Sequence, residues 1–160
     1  MQRTKPREAF IDLFYEDVEI GDVVETDAHT VTMDDVLTFA RVTLDDHPLH
    51  TDPDYCRNTP FGRPIAHGLY GLALIEGLKT GLKLYENTSI ASLGWDKVKF
   101  LAPIFPGDTL HVRVVFDSKR ESRNGHGIVI EKIALINQDG RTVIDAEHAA
   151  MVKRRAPASA

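Results

Sequence analysis

Cysteine is almost missing from this chain of 160 residues, which contains Cys56 alone. A single cysteine cannot form a disulfide within the chain, and such usage fits a reducing compartment. The sequence also lacks any apolar run of about 18 residues, so it contains no candidate membrane span. Its N-terminus has no apolar stretch long enough for a signal peptide. We therefore expect a cytoplasmic protein that does not enter a membrane.

An excess of positive charge is missing as well. The chain has 19 Lys and Arg against 24 Asp and Glu, for a formal net charge of -5. This balance argues against an extended nucleic-acid footprint, and we predict no nucleic-acid partner. Internal repeats are absent too. The length suits a single domain over 1–160, with a core at about 14–154 and loosely ordered termini.

The first half of the chain predicts short, irregular elements. Residues 21–31 alternate and are rich in β-branched residues, which is typical of a strand. Thr32 can cap a following helix, and Asp35 stands where the acid of a capping box would be. A second helical turn is expected after Asp52, because aspartate is a good N-cap and Pro53 suits the first helical position.

The segment 66–85 has the length of a helix and is apolar on nearly every side until Lys79. A helix that is apolar all round should be buried. The segment carries four glycines, which lower helix propensity but let a neighbouring backbone approach closely. We therefore predict a central helix wrapped by a curved sheet.

The second half supplies that sheet. Strands are expected over 90–101, 109–122, 128–137 and 142–155, and the sequence Asp139-Gly140 between the last two is a strong hairpin signal. One buried helix followed by about four antiparallel strands, which the earlier strand can join, defines an α+β arrangement of two layers.

Titratable side chains crowd the stretch "TLDDHPLHTDPDY", residues 43–55. They could be a polar loop that caps the preceding helix, a metal site, or an acid–base pair. His47 and His50 are spaced i, i+3, but Pro48 should break a helix that carried both as ligands. No distant Cys/His pair completes a tetrahedral set. We therefore predict no metal.

Four features in order resemble the MaoC-type, or (R)-specific, enoyl-CoA hydratases, which have the hot-dog fold. They are "DDHPLHTD" after a capped helix, "GRPIAHGLYG" opening the central helix, "DKVKFLAPIFPGDTL" leading into a strand, and a final hairpin of long strands. The resemblance covers about residues 14–154. It implies a curved antiparallel sheet wrapped around one long helix, and a homodimer or higher homo-oligomer.

The resemblance also assigns roles to three residues. Asp45 and His50 match the catalytic aspartate and histidine, and Gly68 matches the glycine of the motif at the start of the helix. A backbone N–H at that start lacks an intrahelical partner and can act as an oxyanion-hole donor. Two positions depart from the pattern: Leu44 stands where glycine is common, and His47 stands where asparagine is frequent.

The implied activity is the interconversion of a trans-2-enoyl-CoA and an (R)-3-hydroxyacyl-CoA, with an acyl-CoA thioester as the partner and no cofactor. The alternatives are a hot-dog thioesterase and a non-catalytic acyl-CoA-binding module. His67 is interpreted as a structural histidine beside the helix start. Coenzyme A phosphates need cations, and the candidates are Arg63, Lys97, Lys99 and Arg120.

Overall fold

The structure, a computed structural model, describes residues 5–155. Two 3₁₀ turns, Arg7–Phe10 and Tyr15–Asp17, precede the longer elements. The helices are α1 (Met33–Thr43), α2 (Pro48–Thr51), α3 (Pro53–Cys56) and α4 (Gly68–Thr80). The strands are β1 (Val23–Glu25), β2 (His29–Thr30), β3 (Ser89–Phe100), β4 (Thr109–Glu121), β5 (Gly127–Ile136) and β6 (Thr142–Val152).

The sheet is antiparallel throughout, in the order β1-β4-β5-β6-β3, and β2 also pairs with β4. The four long strands agree with the four predicted ones. The strand predicted over 21–31 is instead two short strands, separated at residues 26–28. The Thr26 hydroxyl accepts the N–H of Val112 at 2.9 Å, so a side chain takes the place of a ladder carbonyl where the strand breaks.

Helix α1 begins as its capping sequence predicts. The Thr32 hydroxyl accepts the N–H of Asp35, and the Asp35 carboxylate accepts the N–H of Thr32, each at 3.0 Å. Two unpaired donors at the helix start are thereby satisfied, which stabilises this end. The predicted turn after Asp52 is also confirmed, because its carboxylate accepts the N–H groups of Asp54 and Tyr55 at the start of α3.

Helix α4 is shorter and less enclosed than predicted. It spans Gly68–Thr80 rather than 66–85, and residues 81–88 form turns. Gly71 is buried against the sheet, Tyr70 is buried against Phe39 of α1, and Ile75 is fully buried, whereas Leu69 is 62% exposed. The prediction of a helix buried on all sides is therefore wrong for this chain, because the sheet and α1 leave the face that carries Leu69 uncovered.

The hydrophobic core lies between α4 and the facing side of the sheet. Phe116, Leu135 and Ile75 are among its most buried members. The core also includes Phe10 and Leu13, which come before the predicted start at 14. Residues 1–4 and 156–160, on which part of the prediction of loosely ordered termini falls, lie outside the described residues. No helix in residues 5–155 is both long and apolar enough to cross a membrane.

Candidate active site

The turn that leads into the predicted catalytic motif is made by Leu44. This residue ends α1 with φ 65° and ψ 12°, in the left-handed region that favours glycine. The side chain is 85% exposed, so it packs against little that would hold it there. Leu44 therefore adopts the left-handed conformation that glycine would adopt in this turn, but with more backbone strain.

His47 is the N-cap of α2. Its Nδ1 accepts the N–H of Leu49 at 3.1 Å, a role that an asparagine side chain fills in the same way. Pro48 occupies the first position of this helix, where its missing N–H is not needed. As predicted, no single helix carries both histidines, because α2 begins at Pro48 and leaves His47 outside it as the N-cap.

His50 is held in a defined orientation. Its Nδ1 lies 2.7 Å from the carbonyl oxygen of Ile65, and because a carbonyl accepts, Nδ1 carries the hydrogen and leaves Nε2 for another partner. Burial lowers the pKa of His50 below its ordinary value, and His67 lowers it further, against the opposing effects of Ile65 and Asp45. An unprotonated imidazole at neutral pH can accept a proton.

The fold brings His50 together with Asp45 and with His67. One possible ligand atom from each side chain lies within 4.8 Å of the others. Asp45 is exposed and His50 is half-buried, whereas His67 is only 2% exposed. The role predicted for His67 from the sequence is that of a structural histidine. Its position directly before Gly68 in "IAHG" was the signal that could have placed it in the site.

The same three side chains form the one group among residues 5–155 that could hold a metal ion. Nδ1 of His50 and Nε2 of His67 are already bonded to main-chain carbonyls. Nε2 of His50 and Nδ1 of His67 are therefore the ring nitrogens that remain for another partner.

Gly68 opens α4 and lines a cavity of about 350 Å³ together with His50. The first intrahelical bond runs from the N–H of Gly71 to the carbonyl of His67, at 3.3 Å. The N–H of Gly68 precedes it and has no intrahelical acceptor. A Cβ at Gly68 would lie 2.7 Å from the ring of Phe100, so any other residue here would have to displace that ring. The rest of the cavity wall is mainly apolar.

The predicted cations are spread over the molecule. Arg63 follows Phe61 of the cavity wall closely, and its guanidinium lies 4.2 Å from the ring centre of Phe105. Lys97 forms an ion pair with Glu147 at 2.9 Å. Lys99 lies in β3 and Arg120 in β4. Two of the four are close along the chain to the cavity: Lys99 directly precedes Phe100, and Arg63 lies between Phe61 and Ile65.

The antiparallel sheet over one helix has counterparts among solved structures. A monoamine oxidase regulatory protein from Archaeoglobus fulgius matches with a TM-score of 0.86 and 33% identity, over 92% of this chain and 99% of that one. RV0216 from Mycobacterium tuberculosis, described as a double hot-dog fold, matches with a TM-score of 0.77 and 22% identity, over 93% of this chain and 46% of that one. The α+β hot-dog fold predicted from the sequence is confirmed.

The family follows from the sequence comparison. The model of the MaoC like domain matches residues 16–137, and the chain belongs to this family. An (R)-specific enoyl-CoA hydratase from Rhodospirillum rubrum is 30% identical over 152 residues, which are 89% of this chain and 93% of the relative. The matches to two other curated relatives span 62% and 31% of the length of those proteins.

Proposed function

We propose that this chain is a hydro-lyase that interconverts a trans-2-enoyl-CoA and an (R)-3-hydroxyacyl-CoA without a metal. The observation that carries the proposal is the meeting of Asp45 and His50 beside a cavity that begins at Gly68. The name of the Rhodospirillum rubrum relative supports the reaction class. Membership of the MaoC-like family supports it as well.

A water molecule held by Asp45 and His50 supplies the hydroxyl group that adds to the β-carbon and the proton that adds to the α-carbon. As its oxygen attacks the β-carbon, one O–H bond breaks and the proton passes to the pair. The pair then returns a proton to the α-carbon, on the same face. Asp45 accepts the water proton and Nε2 of His50 shares the water, and such acid–base catalysis contributes about 10²- to 10⁴-fold.

The thioester oxygen gains negative charge as the water adds. The N–H of Gly68 is free to donate to it and lies at the positive end of the α4 dipole. One such donor contributes about 3 kcal/mol to the transition state. The apolar wall of the cavity beside it, which includes Phe61, Phe100 and Leu101, suits the uncharged part of an acyl thioester. Arg63 is our candidate for contact with a coenzyme A phosphate.

The test is hydration of a panel of enoyl-CoA substrates by the wild type and by Asp45→Asn and His50→Gln. Each substitution removes one proton acceptor, so we expect kcat/KM to fall by about 100-fold or more. Asp46→Asn is the matched control, because Asp46 is the exposed neighbour of Asp45 and should leave the rate unchanged. Full activity in both site variants would contradict the proposal.

The same assay separates the rival functions. A thiol-trapping reagent detects free coenzyme A, which a thioesterase releases and a hydratase does not. Release of free coenzyme A without hydration would assign the chain as a thioesterase. Binding of acyl-CoA without turnover of any member of the panel would indicate a binding module.

We also propose that the chain acts as a homodimer or higher homo-oligomer. β3 lies at an edge of the sheet, and its register with β6 shifts near Ile90 and Leu93, which are 40% and 46% exposed. Leu69 adds apolar surface on the uncovered face of α4. An unpaired edge with exposed apolar side chains is suited to a second copy.

Light scattering after size-exclusion chromatography tests this proposal. We expect the wild type to be at least dimeric and Leu93→Lys to be monomeric at the same concentration, because a charge in the interface costs desolvation energy. Ile20→Lys is the control, since Ile20 is 51% exposed and adjoins β1 at the opposite edge of the sheet. A monomeric wild type would overturn the proposal.

A further inference from the structure

His67 contacts both members of the proposed acid–base pair and directly precedes Gly68. Its Nε2 lies 2.8 Å from the carbonyl oxygen of Asp45. Its ring stacks on that of His50, with the ring centres 3.7 Å apart and an angle of 24° between the planes. Its own main chain continues directly into Gly68. One buried side chain therefore connects the turn at Asp45, the short helix that carries His50, and the start of α4 at Gly68.

We infer that His67 is a positioning residue that sets the distance between Asp45, His50 and the helix start at Gly68. The inference about geometry stands on the contacts alone. Its consequence for the reaction rests on the proposed hydratase function.

Asp45 needs such a tie, because it lies on an exposed turn. It follows Leu44 in the left-handed conformation. Its own N–H makes a long bond of 3.4 Å to the hydroxyl of Thr43, two residues back. Within residues 5–155, the bond from His67 is what links the Asp45 main chain to the start of α4.

The tautomer of His67 also supports a positioning role. A carbonyl accepts, so Nε2 carries the hydrogen, and Nδ1 is buried with no hydrogen-bond partner among the described residues. A buried polar atom without a partner costs about 1–3 kcal/mol. An apolar ring of similar size would avoid this cost, so the packing of the site alone does not require histidine here.

Packing is the competing explanation. The ring of His67 also lies against that of Phe39, with the centres 4.9 Å apart. If His67 only filled this space, another ring would replace it without loss. If it positions Asp45, the hydrogen-bond donor at Nε2 is the essential feature.

Three variants separate the two explanations. His67→Phe keeps the ring and removes the donor. His67→Gln removes the ring, but its amide nitrogen reaches the place of Nε2. His67→Asn is a smaller polar residue whose amide is too short to reach Asp45, and it serves as the donor-free variant if His67→Phe does not fold. Thermal melts establish that each variant folds.

Crystal structures and enoyl-CoA kinetics of these variants are the measurement. We expect the Asp45 carboxylate to move in His67→Phe and His67→Asn and to keep its place in His67→Gln. Because a displacement near 1 Å can cost about 100-fold in rate, we expect kcat to fall about 10- to 100-fold in the first two, with KM nearly unchanged. His67→Gln should restore most of kcat.

An unmoved Asp45 in the donor-free variants, or an equal loss of kcat in all three, would overturn the inference and leave packing as the role of His67. If the wild type hydrates no substrate, the proposed function fails. The crystal structures then still decide the inference, because displacement of Asp45 without the donor, and its recovery with Gln, do not depend on turnover.

Discussion

Single residues in the motif 43–55 perform backbone roles that their identities do not suggest. Leu44 takes a left-handed conformation that glycine adopts more easily. His47 caps α2 through Nδ1, as asparagine would through its side-chain oxygen. Both departures from the sequence pattern therefore preserve the geometry that places Asp45 and His50. The substitution at Leu44 does so at a cost that can be measured.

Replacing Leu44 by glycine should stabilise the protein. The left-handed conformation costs a non-glycine residue about 1–2 kcal/mol, which glycine would avoid. Part of this stabilisation is offset, because glycine gives the unfolded chain more conformational entropy. Leu44 is 85% exposed, so little packing is lost. We expect the free energy of unfolding in urea to rise by up to about 1 kcal/mol.

Arg41→Gly is the matched control, because Arg41 lies within α1 with helical backbone angles. Glycine there should lower stability by about 1 kcal/mol. Equal destabilisation by both substitutions would show that the turn at Leu44 is not strained.

At the scale of elements, the glycines of α4 serve different purposes. A Cβ at Gly71 would lie 2.6 Å from Ile144 and 2.7 Å from Ile104, in the contact between helix and sheet. At Gly77 no atom lies within 4 Å of the same position. The helix therefore needs glycine at position 71 for close packing on the sheet, whereas at position 77 a larger residue would fit.

The two positions make a matched pair of substitutions. Gly71→Ala should destabilise the protein by about 1–3 kcal/mol, since an added methyl group overpacks a close contact. Gly77→Ala should stabilise it by about 0.5–1 kcal/mol, because alanine has the higher helix propensity. Urea denaturation measures both. A loss of stability in Gly77→Ala would show that its exposed face is covered, as in an oligomer.

At the scale of the whole molecule, an ion cluster ties the far end of α4 to the sheet. Lys79 donates to Glu131 at 2.5 Å, and Nδ1 of His148 lies 3.1 Å from the same carboxylate oxygen. The hydroxyl of Tyr85 donates to the other oxygen at 2.9 Å, and burial together with Glu131 raises the pKa of Tyr85. The sequence placed Lys79 only at the edge of an apolar run, and nothing in it indicated this partner.

Glu131 makes stability depend on pH. Burial alone would raise its pKa, but Lys79 and His148 outweigh burial and hold the pKa below its ordinary value. Its contribution is therefore fully present above the ordinary pKa of about 4.3 and is lost as the pH falls through the lower folded value. Glu131→Gln leaves the buried Lys79 with only the longer pair to Glu76, at 3.4 Å, and should cost about 2–3 kcal/mol at pH 7.

Urea denaturation between pH 7 and pH 3 measures this contribution. The difference between wild type and Glu131→Gln should shrink toward pH 3. Glu86→Gln is the control, because Glu86 is 54% exposed and its ion pair with Lys83 spans 3.7 Å, so the change should stay below about 1 kcal/mol at any pH. A constant difference across this range would contradict the assignment.

The fold was largely predictable because its signals are local. The alternation of the long strands, the Asp-Gly turn and the Thr32 cap each act within a few residues. The extent and exposure of α4 were not predictable, because an apolar surface such as that of Leu69 does not reveal which side a sheet will cover. For the site, the motif predicted Asp45, His50 and Gly68, and their catalytic roles remain predictions.

By itself, the sequence determined the order of elements, the α+β class, and the residue types available for proton transfer, because these depend on short-range pattern and chemistry. Only the tertiary structure decided that His67 joins Asp45 to His50, that Phe100 closes over Gly68, and that Lys79 meets Glu131. These contacts bring together residues 17 to 52 positions apart. These contacts depend on how separate elements pack against one another, which a local sequence pattern does not specify.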